Sequence, residues 1–255
     1  MSSGLFAFYS LGVYLAVRSL TTLRCSLFTV SNSLLTMNLL IIGATGGTGK
    51  ELVRQALELG HSVTAFARRP QRLRIEHPRL RAIKGDVLEN KTVAVAMQGQ
   101  EAVLCALGHR RWVLPSRILS RGTANIIQAM KQYGVRRLIC ETSLGVGDSV
   151  GRLGLYYTLF VIPFVVFFYF RDKGRQERMI RESDLEWTIV RPARLTNGRK
   201  RNDHEHGMDV GHYIVTRSIA RADVASFMLS QLDNTTYLRK TPALANRWPW
   251  DRSRT

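Results

Sequence analysis

The chain has 255 residues, enough for one large or two small domains, and 45% of them are hydrophobic, which excludes a chain too polar to build a core. Its formal net charge is +18, but the arginines are scattered and not gathered on one predicted helix, so the excess reads as an arginine-rich surface and no nucleic-acid partner is expected. Three cysteines, Cys25, Cys105 and Cys140, have neither metal-site spacing nor the even count of a disulfide framework.

Residues 1–36 hold two arginines, Arg18 and Arg24, no acidic residue and many Ser, Thr and Leu. That composition fits a transit or signal segment. The apolar piece Leu5–Val17 is shorter than the ~20 residues a membrane span needs. Met37 begins a run, Met-Asn-Leu-Leu-Ile-Ile-Gly, that reads as a natural start on a first strand. The expectation is that 1–36 stands outside the fold, as a mis-assigned start or a cleaved leader, and that the domain covers 37–245.

Asn38–Gly49 organises the rest. Leu39–Ile42 is a short apolar run bounded by glycine and reads as a strand buried on both faces. Gly43, Gly46 and Gly49 follow at a spacing of three, with Gly47 between them, and Lys50–Leu59 reads as a helix with an apolar face. A strand, a glycine turn and a helix start make a pyrophosphate site. Gly43 permits the turn, Gly46 lets backbone approach phosphate, and Gly49 lets the helix pack on the strand. The helix start offers free N–H groups, and Thr45 and Thr48 are candidate hydroxyl donors.

Ser62–Ala67 is the second strand, ending in Arg68-Arg69-Pro70. An NAD site carries an acidic residue near this position to take the ribose 2′-hydroxyl. Arg68 and Arg69 instead suit a 2′-phosphate in charge and geometry, so NADP (NADPH) is the expected cofactor. The third strand is Leu80–Lys84, closed by Gly85-Asp86-Val87; Asp86 either bonds the adenine amino group or caps the next helix. Helix Glu89–Met97 leads to strand Ala102–Ala106 and then Leu107-Gly108-His109, where Gly108 allows close cofactor approach and His109 is a loose candidate for phosphate or substrate contact. Cys105 and Cys140 fall in predicted buried strands, which suits a reducing compartment and a cytoplasmic location, or an organelle if 1–36 is a transit peptide.

Ser116–Gln132 reads as a helix stopped at Gly134, and Arg136–Glu141 as the fifth strand. Ser143 just beyond it faces the crevice where open α/β sheets bind ligands. Leu153–Phe170 has eighteen residues and no charge. Pro163, the abutting Arg152 and Arg171, and a position between two strands argue against a span. It is expected as a buried or substrate-covering helix, or as one exposed enough to meet a lipidic ligand or a protein partner. Asp172–Ser183 continues as a helix, and Trp187–Val190 is the sixth strand, followed by Arg191-Pro192-Ala193. Thr196–Gly211 is expected to be a solvated polar loop, Ile214–Thr216 a short strand, Ser218–Leu232 a helix, and 246–255 an unpacked tail.

Gly43-Ala-Thr-Gly-Gly-Thr-Gly49, Ala67-Arg-Arg-Pro70, Gly85-Asp-Val87, Thr142-Ser-Leu-Gly-Val-Gly-Asp148, Asp172-Lys173, Trp187–Gly198 and Ser218–Val224 together resemble the atypical short-chain dehydrogenase/reductases. Within that group they resemble the NmrA-like and biliverdin reductase B/flavin reductase types. The resemblance implies a Rossmann-type doubly wound parallel sheet with a small C-terminal substrate portion, and NADP held by the motifs above, Lys173 and Pro192 included. It implies reduction of a small carbonyl, quinone or flavin-like acceptor, or a non-catalytic NADP-binding sensor. Tyr169 and Lys173 have the family's Tyr-x-x-x-Lys spacing, one helix turn apart. By resemblance, Tyr169 supplies a proton, Lys173 lowers its pKa and holds the nicotinamide ribose, and Ser143 bonds the substrate carbonyl.

Overall fold

Leu39, Leu40 and Ile41 are fully buried, as a strand with apolar residues on both faces must be to sit at the centre of a sheet. They belong to β1 (Asn38–Ile42). The computed structural model describes residues 36–109 and 114–248, and of these the residues from Met37 onward belong to one compact unit. The expectations for Cys25, the leader before Thr36 and the tail after Trp248 lie outside the described residues.

The other strands are β2 (Ser62–Ala67), β3 (Leu80–Lys84), β4 (Ala102–Cys105), β5 (Arg137–Glu141), β6 (Glu186–Pro192), β7 (Arg194–Thr196), β8 (His204–Gly207), β9 (Ser218–Ala220) and β10 (Ala243–Asn246). Eight of the ten form one sheet in the order β3-β2-β1-β4-β5-β6-β10-β8, while β7 and β9 pair separately. Among the described residues, β8 alone runs antiparallel in the large sheet. Strand order reverses between β1 and β4, and the crevice at such a switch point is where open α/β sheets take ligands.

Helices cover both faces. They are α1 (Gly47–Glu58), α2 (Asn90–Met97), α3 (Ile118–Tyr133), α4 (Phe167–Arg181) and α5 (Arg221–Ser230). Leu39 and Ile41 pack in one layer with Leu52 of α1 and Met228 of α5. Leu40 and Ile42 pack in the other with Met97 of α2, Ile126 of α3 and Ile180 of α4. Each buried side chain of this size stabilises the fold by about 1.5–3 kcal/mol relative to exposure, before chain entropy is counted. The doubly wound sheet read from the sequence is the observed fold.

Four expectations are corrected. The polar loop after Thr196 contains β8, whose His204–Gly207 pairs with Asn246–Ala243 of β10. Asn246 therefore ends a strand, and Trp248 packs edge-on against His212 and under Arg217, so the near part of the tail is packed. Ile214–Thr216 is irregular, and the short strand lies at Ser218–Ala220, displacing the helix start to Arg221. Leu153–Phe170 is not one buried helix. It forms a π-helical turn at Tyr157–Val161 and a short turn at Ile162–Phe164, and breaks at Val166 before α4 begins. Much of it is exposed, because no further layer lies over it.

Candidate cofactor and active site

The glycine turn has the tight geometry its spacing demands. Gly43 has φ +80°, and a Cβ there would lie 2.5 Å from the Ala106 carbonyl oxygen of the neighbouring strand end. A Cβ on Gly49 would lie 2.1 Å from the Gly43 carbonyl oxygen. Gly46 caps α1 without a side-chain hydrogen bond, so the first N–H groups of the helix face the crevice with no side-chain acceptor. Gly46 and Gly47 are exposed there. These residues fit a dinucleotide pyrophosphate: a backbone cradle at a helix start, open to solvent. The Arg221 side chain lies across Gly47, where a Cβ would meet its Cδ at 2.5 Å.

Thr48 is placed differently from expectation. It is buried and donates its hydroxyl to Glu141 Oε1 at 2.9 Å. Of the two threonines, Thr45 alone stays partly exposed. Glu141 ends β5 beneath the crevice, and burial raises its carboxyl pKa against the opposing pull of Lys173, Thr48 and Arg221.

Lys173 comes from the second turn of α4 and is 2% exposed. Its ammonium donates to Glu141 O at 3.0 Å and Leu107 O at 3.3 Å, tying the ends of β5 and β4. Burial alone would lower its pKa. Tyr169, Cys140 and Glu141 outweigh burial and hold it above the ordinary lysine value, so it is charged at neutral pH. Tyr169, one turn earlier, lies 5.7 Å from Lys173 Nζ by ring centroid. Its hydroxyl would be 3.6 Å from a Cβ on Gly108, and His109 stacks edge-on to its ring at 5.1 Å. Tyr169, Lys173, Leu107 and Gly108 are thus brought together at the end of β4. Ser143 is half-buried and donates to Leu144 O at 3.0 Å.

Asp172, fully buried, caps the start of α3. Its Oδ2 accepts from Leu119 N at 2.9 Å, and its Oδ1 from Ser120 N at 3.3 Å and from Ser120 Oγ. Asp86 Oδ1 accepts from Leu88 N at 3.0 Å, closing the turn before α2. Val87 is buried against Gly122 of α3. Arg68 and Arg69 stand exposed at the end of β2. Pro192 is buried in β6, and its carbonyl accepts from Leu144 N at 2.9 Å.

Beside the crevice, Arg191 and Glu177 form a buried two-pronged pair with Nε–Oε1 at 3.0 Å and a second bond from Nη2 to Oε2. Thr142 also donates to Glu177 Oε1, at 2.7 Å. Arg191 reaches Asp148 at 2.8 Å, and Arg181 reaches it at 3.0 Å. This network fixes the loop after β5 that carries Ser143.

The family model described as NAD(P)H-binding matches residues 43–235, which span the glycine turn, the Tyr169–Lys173 turn and α5. The chain belongs to that family. A relative of this NAD(P)H-binding protein, an uncharacterized chloroplastic protein of Arabidopsis thaliana, is 30% identical over 71% of this chain and 67% of its own length. An NAD(P)H azoreductase of Xenophilus azovorans is 26% identical over 61% of this chain, which spans about half (47%) of that enzyme. A solved short-chain dehydrogenase/reductase of Veillonella parvula in complex with NADP superposes with a TM-score of 0.71 at 20% identity, covering 83% of this chain and 95% of that one. The resemblance read from the motifs is borne out. Among the described residues of this NAD(P)H-binding protein no helix is long and apolar enough to cross a membrane.

Glu141, the Asp172 cap, the Arg191–Glu177 pair and Arg221 were not singled out as site residues from the sequence. The available signals were a charged residue ending an apolar strand and Asp preceding Lys173.

Proposed function

We propose that this protein is an NADPH-dependent oxidoreductase that reduces a small carbonyl, quinone or flavin-like acceptor. The observation that carries this reading is the Tyr169–Lys173 turn, with the ammonium anchored on Leu107 O and Glu141 O and the phenol hydroxyl beside Gly108. In the proposed arrangement the glycine turn and the start of α1 hold the pyrophosphate. Arg68 and Arg69 meet the 2′-phosphate, and Asp86 and Val87 flank the adenine. Leu107, Gly108 and Pro192 line the nicotinamide side. Lys173 holds the ribose, Ser143 bonds the acceptor oxygen and Tyr169 gives it a proton. The nicotinamide, when bound, supplies the hydride.

A cavity of about 240 Å³ beyond the Ser143 loop is lined by Val146, Val150, Ile162, Phe167 and Phe170, with Arg171 among its residues. It suits the apolar body of an acceptor. The two buried thiols, Cys105 and Cys140, are free and favour a reducing compartment: the cytoplasm, or an organelle in keeping with the chloroplastic relative if 1–36 is a leader.

The second reading is a non-catalytic NADP-binding sensor or assembly protein, favoured by the exposed apolar segment Leu155–Phe167 as a docking face for a protein. The deciding experiment is an NADPH-oxidation screen over carbonyls, quinones and flavins, beside direct cofactor titration. Turnover of any of them supports the reductase. Tight cofactor binding with no turnover across the panel supports the sensor.

A further inference from the structure

Among the described residues seventeen large hydrophobic side chains are exposed, and eleven of them fall in two short segments, Val150–Phe167 and Tyr213–Val215. Single exposed apolar residues are ordinary, but a cluster of this kind marks a contact surface. The two segments form one surface. Leu155 N donates to Ile214 O at 3.1 Å, Leu153 bridges to His212, and Gly151 lies under the Tyr213 ring. Phe164 is the most exposed of the eleven, at 77%, with Ile214 at 69% and Phe160 at 57%.

Residues 150–171 and 210–222 contain four arginines and no acidic residue. Arg152 is paired with Asp209 at 3.2 Å and Arg217 with Glu205 at 2.7 Å, and Arg221 lies across Gly47 at the glycine turn. Arg171 is exposed at the end of the apolar segment, and nearby Asp148 is matched by Arg181 and Arg191. The chain as a whole carries a formal net charge of +18.

We propose that this face docks in the plane of a lipid bilayer that carries anionic headgroups. Phe160, Phe164 and Ile214 enter the acyl boundary, the tyrosines Tyr156 and Tyr213 sit at headgroup level, and Arg171 meets phosphate. A bilayer offers the two complements this surface needs, apolar depth and negative charge, without a matched shape. The described helices are too short or too polar to span, so the contact is interfacial. Docking does not depend on which acceptor the active site takes.

The test uses the full chain with vesicles of phosphatidylcholine alone and of equimolar phosphatidylcholine and phosphatidylglycerol. Co-sedimentation should favour the anionic vesicles and weaken as salt rises. Phe160→Ser with Phe164→Ser should cut vesicle affinity roughly tenfold or more. Both sites are exposed, so melting temperature and NADPH affinity should stay at parent values. In a separate variant, the tryptophan introduced by Phe164→Trp should be quenched by brominated lipid beyond the parent's own signal. Unchanged binding in the double variant, an unquenched tryptophan, or no vesicle binding at low salt would overturn the proposal. So would a dimer that needs Phe160 and Phe164 in the absence of vesicle binding, which would assign the face to a second copy.

Discussion

Lys173 holds its ammonium 5.7 Å from the centre of the Tyr169 ring while donating both of its strong hydrogen bonds elsewhere, to Leu107 O and Glu141 O. The lysine is fixed by the sheet, and the tyrosine is placed by the lysine's helix. Tyr169→Phe removes only the hydroxyl, so NADPH affinity should be nearly unchanged. Carbonyl turnover should fall by about 10²–10⁴-fold, the usual contribution of a general acid. Lys173→Ala should impair both cofactor binding and turnover, because it also leaves Leu107 O and Glu141 O without their donor. Steady-state kinetics and fluorescence titration on both variants provide the check. Full carbonyl reduction by Tyr169→Phe would take the phenol out of the mechanism.

Cofactor choice is expected to rest on the two arginines at the end of β2. Their exposure leaves both guanidinium groups accessible to a ribose 2′-phosphate. The parent should bind NADPH more tightly than NADH, and Arg68→Asp should weaken NADPH more than NADH. Equal parent affinities for the two cofactors would sink the 2′-phosphate role.

Stability should depend on Asp172, although it belongs to α4 and caps α3. Asp172→Ala strands the N–H groups of Leu119 and Ser120 in a buried place, at a cost of roughly 1–3 kcal/mol. For a chain of this size that lowers Tm by roughly 2–4 °C per kcal/mol. Asp172→Asn keeps an acceptor and should lose less. An Ala variant that melts with the parent would refute the capping role.

Acid sensitivity should trace in part to Asp148. Burial pushes its carboxyl up, but hydrogen bonds from Arg191 and Arg181 outweigh this and hold it well below the usual carboxylate range. A depressed folded-state pKa contributes stability above the unfolded value of about 3.9, and that contribution is lost as pH falls toward the folded value. Asp148→Asn should therefore be less stable than the parent at neutral pH, with the gap closing below about pH 4. The side chain is 61% exposed, so the gap should be modest and shrink with salt. Melting curves across pH and salt test this; a gap independent of pH would exclude the ion pair as its cause.

β1, β4 and β5 were legible as short runs rich in buried apolar residues, and β3 as a charged, half-exposed run closed by Gly85. β2 and β3 match the sequence reading, and β1, β4 and β5 differ from it by one residue at an end. The Tyr169–Lys173 pair was legible because helical spacing alone puts the two on one face. Thr48–Glu141 was not, since it joins residues 93 apart and no local pattern reports such a contact. β8 was missed for a related reason. His-Glu-His-Gly has no apolar alternation, and its pairing with β10 comes from a distant segment. Leu153–Phe170 was harder to read because apolar composition alone does not separate the side chains that pack inward, Leu153, Tyr157, Ile162 and Phe170, from those left exposed, such as Phe160 and Phe164.

The sheet ends at β3 on one side and at β8 on the other. Both terminal strands carry charge or imidazole on exposed positions: Arg81 and Lys84 on β3, Glu205 and His206 on β8. Such borders resist pairing with a foreign strand. Among the described residues, neither border of the large sheet is therefore a ready edge along which molecules could grow a shared sheet as they are concentrated. The sticky apolar face is built from helical turns and loops, with its backbone groups largely engaged. Contact through that face would be between side chains and not between backbone edges.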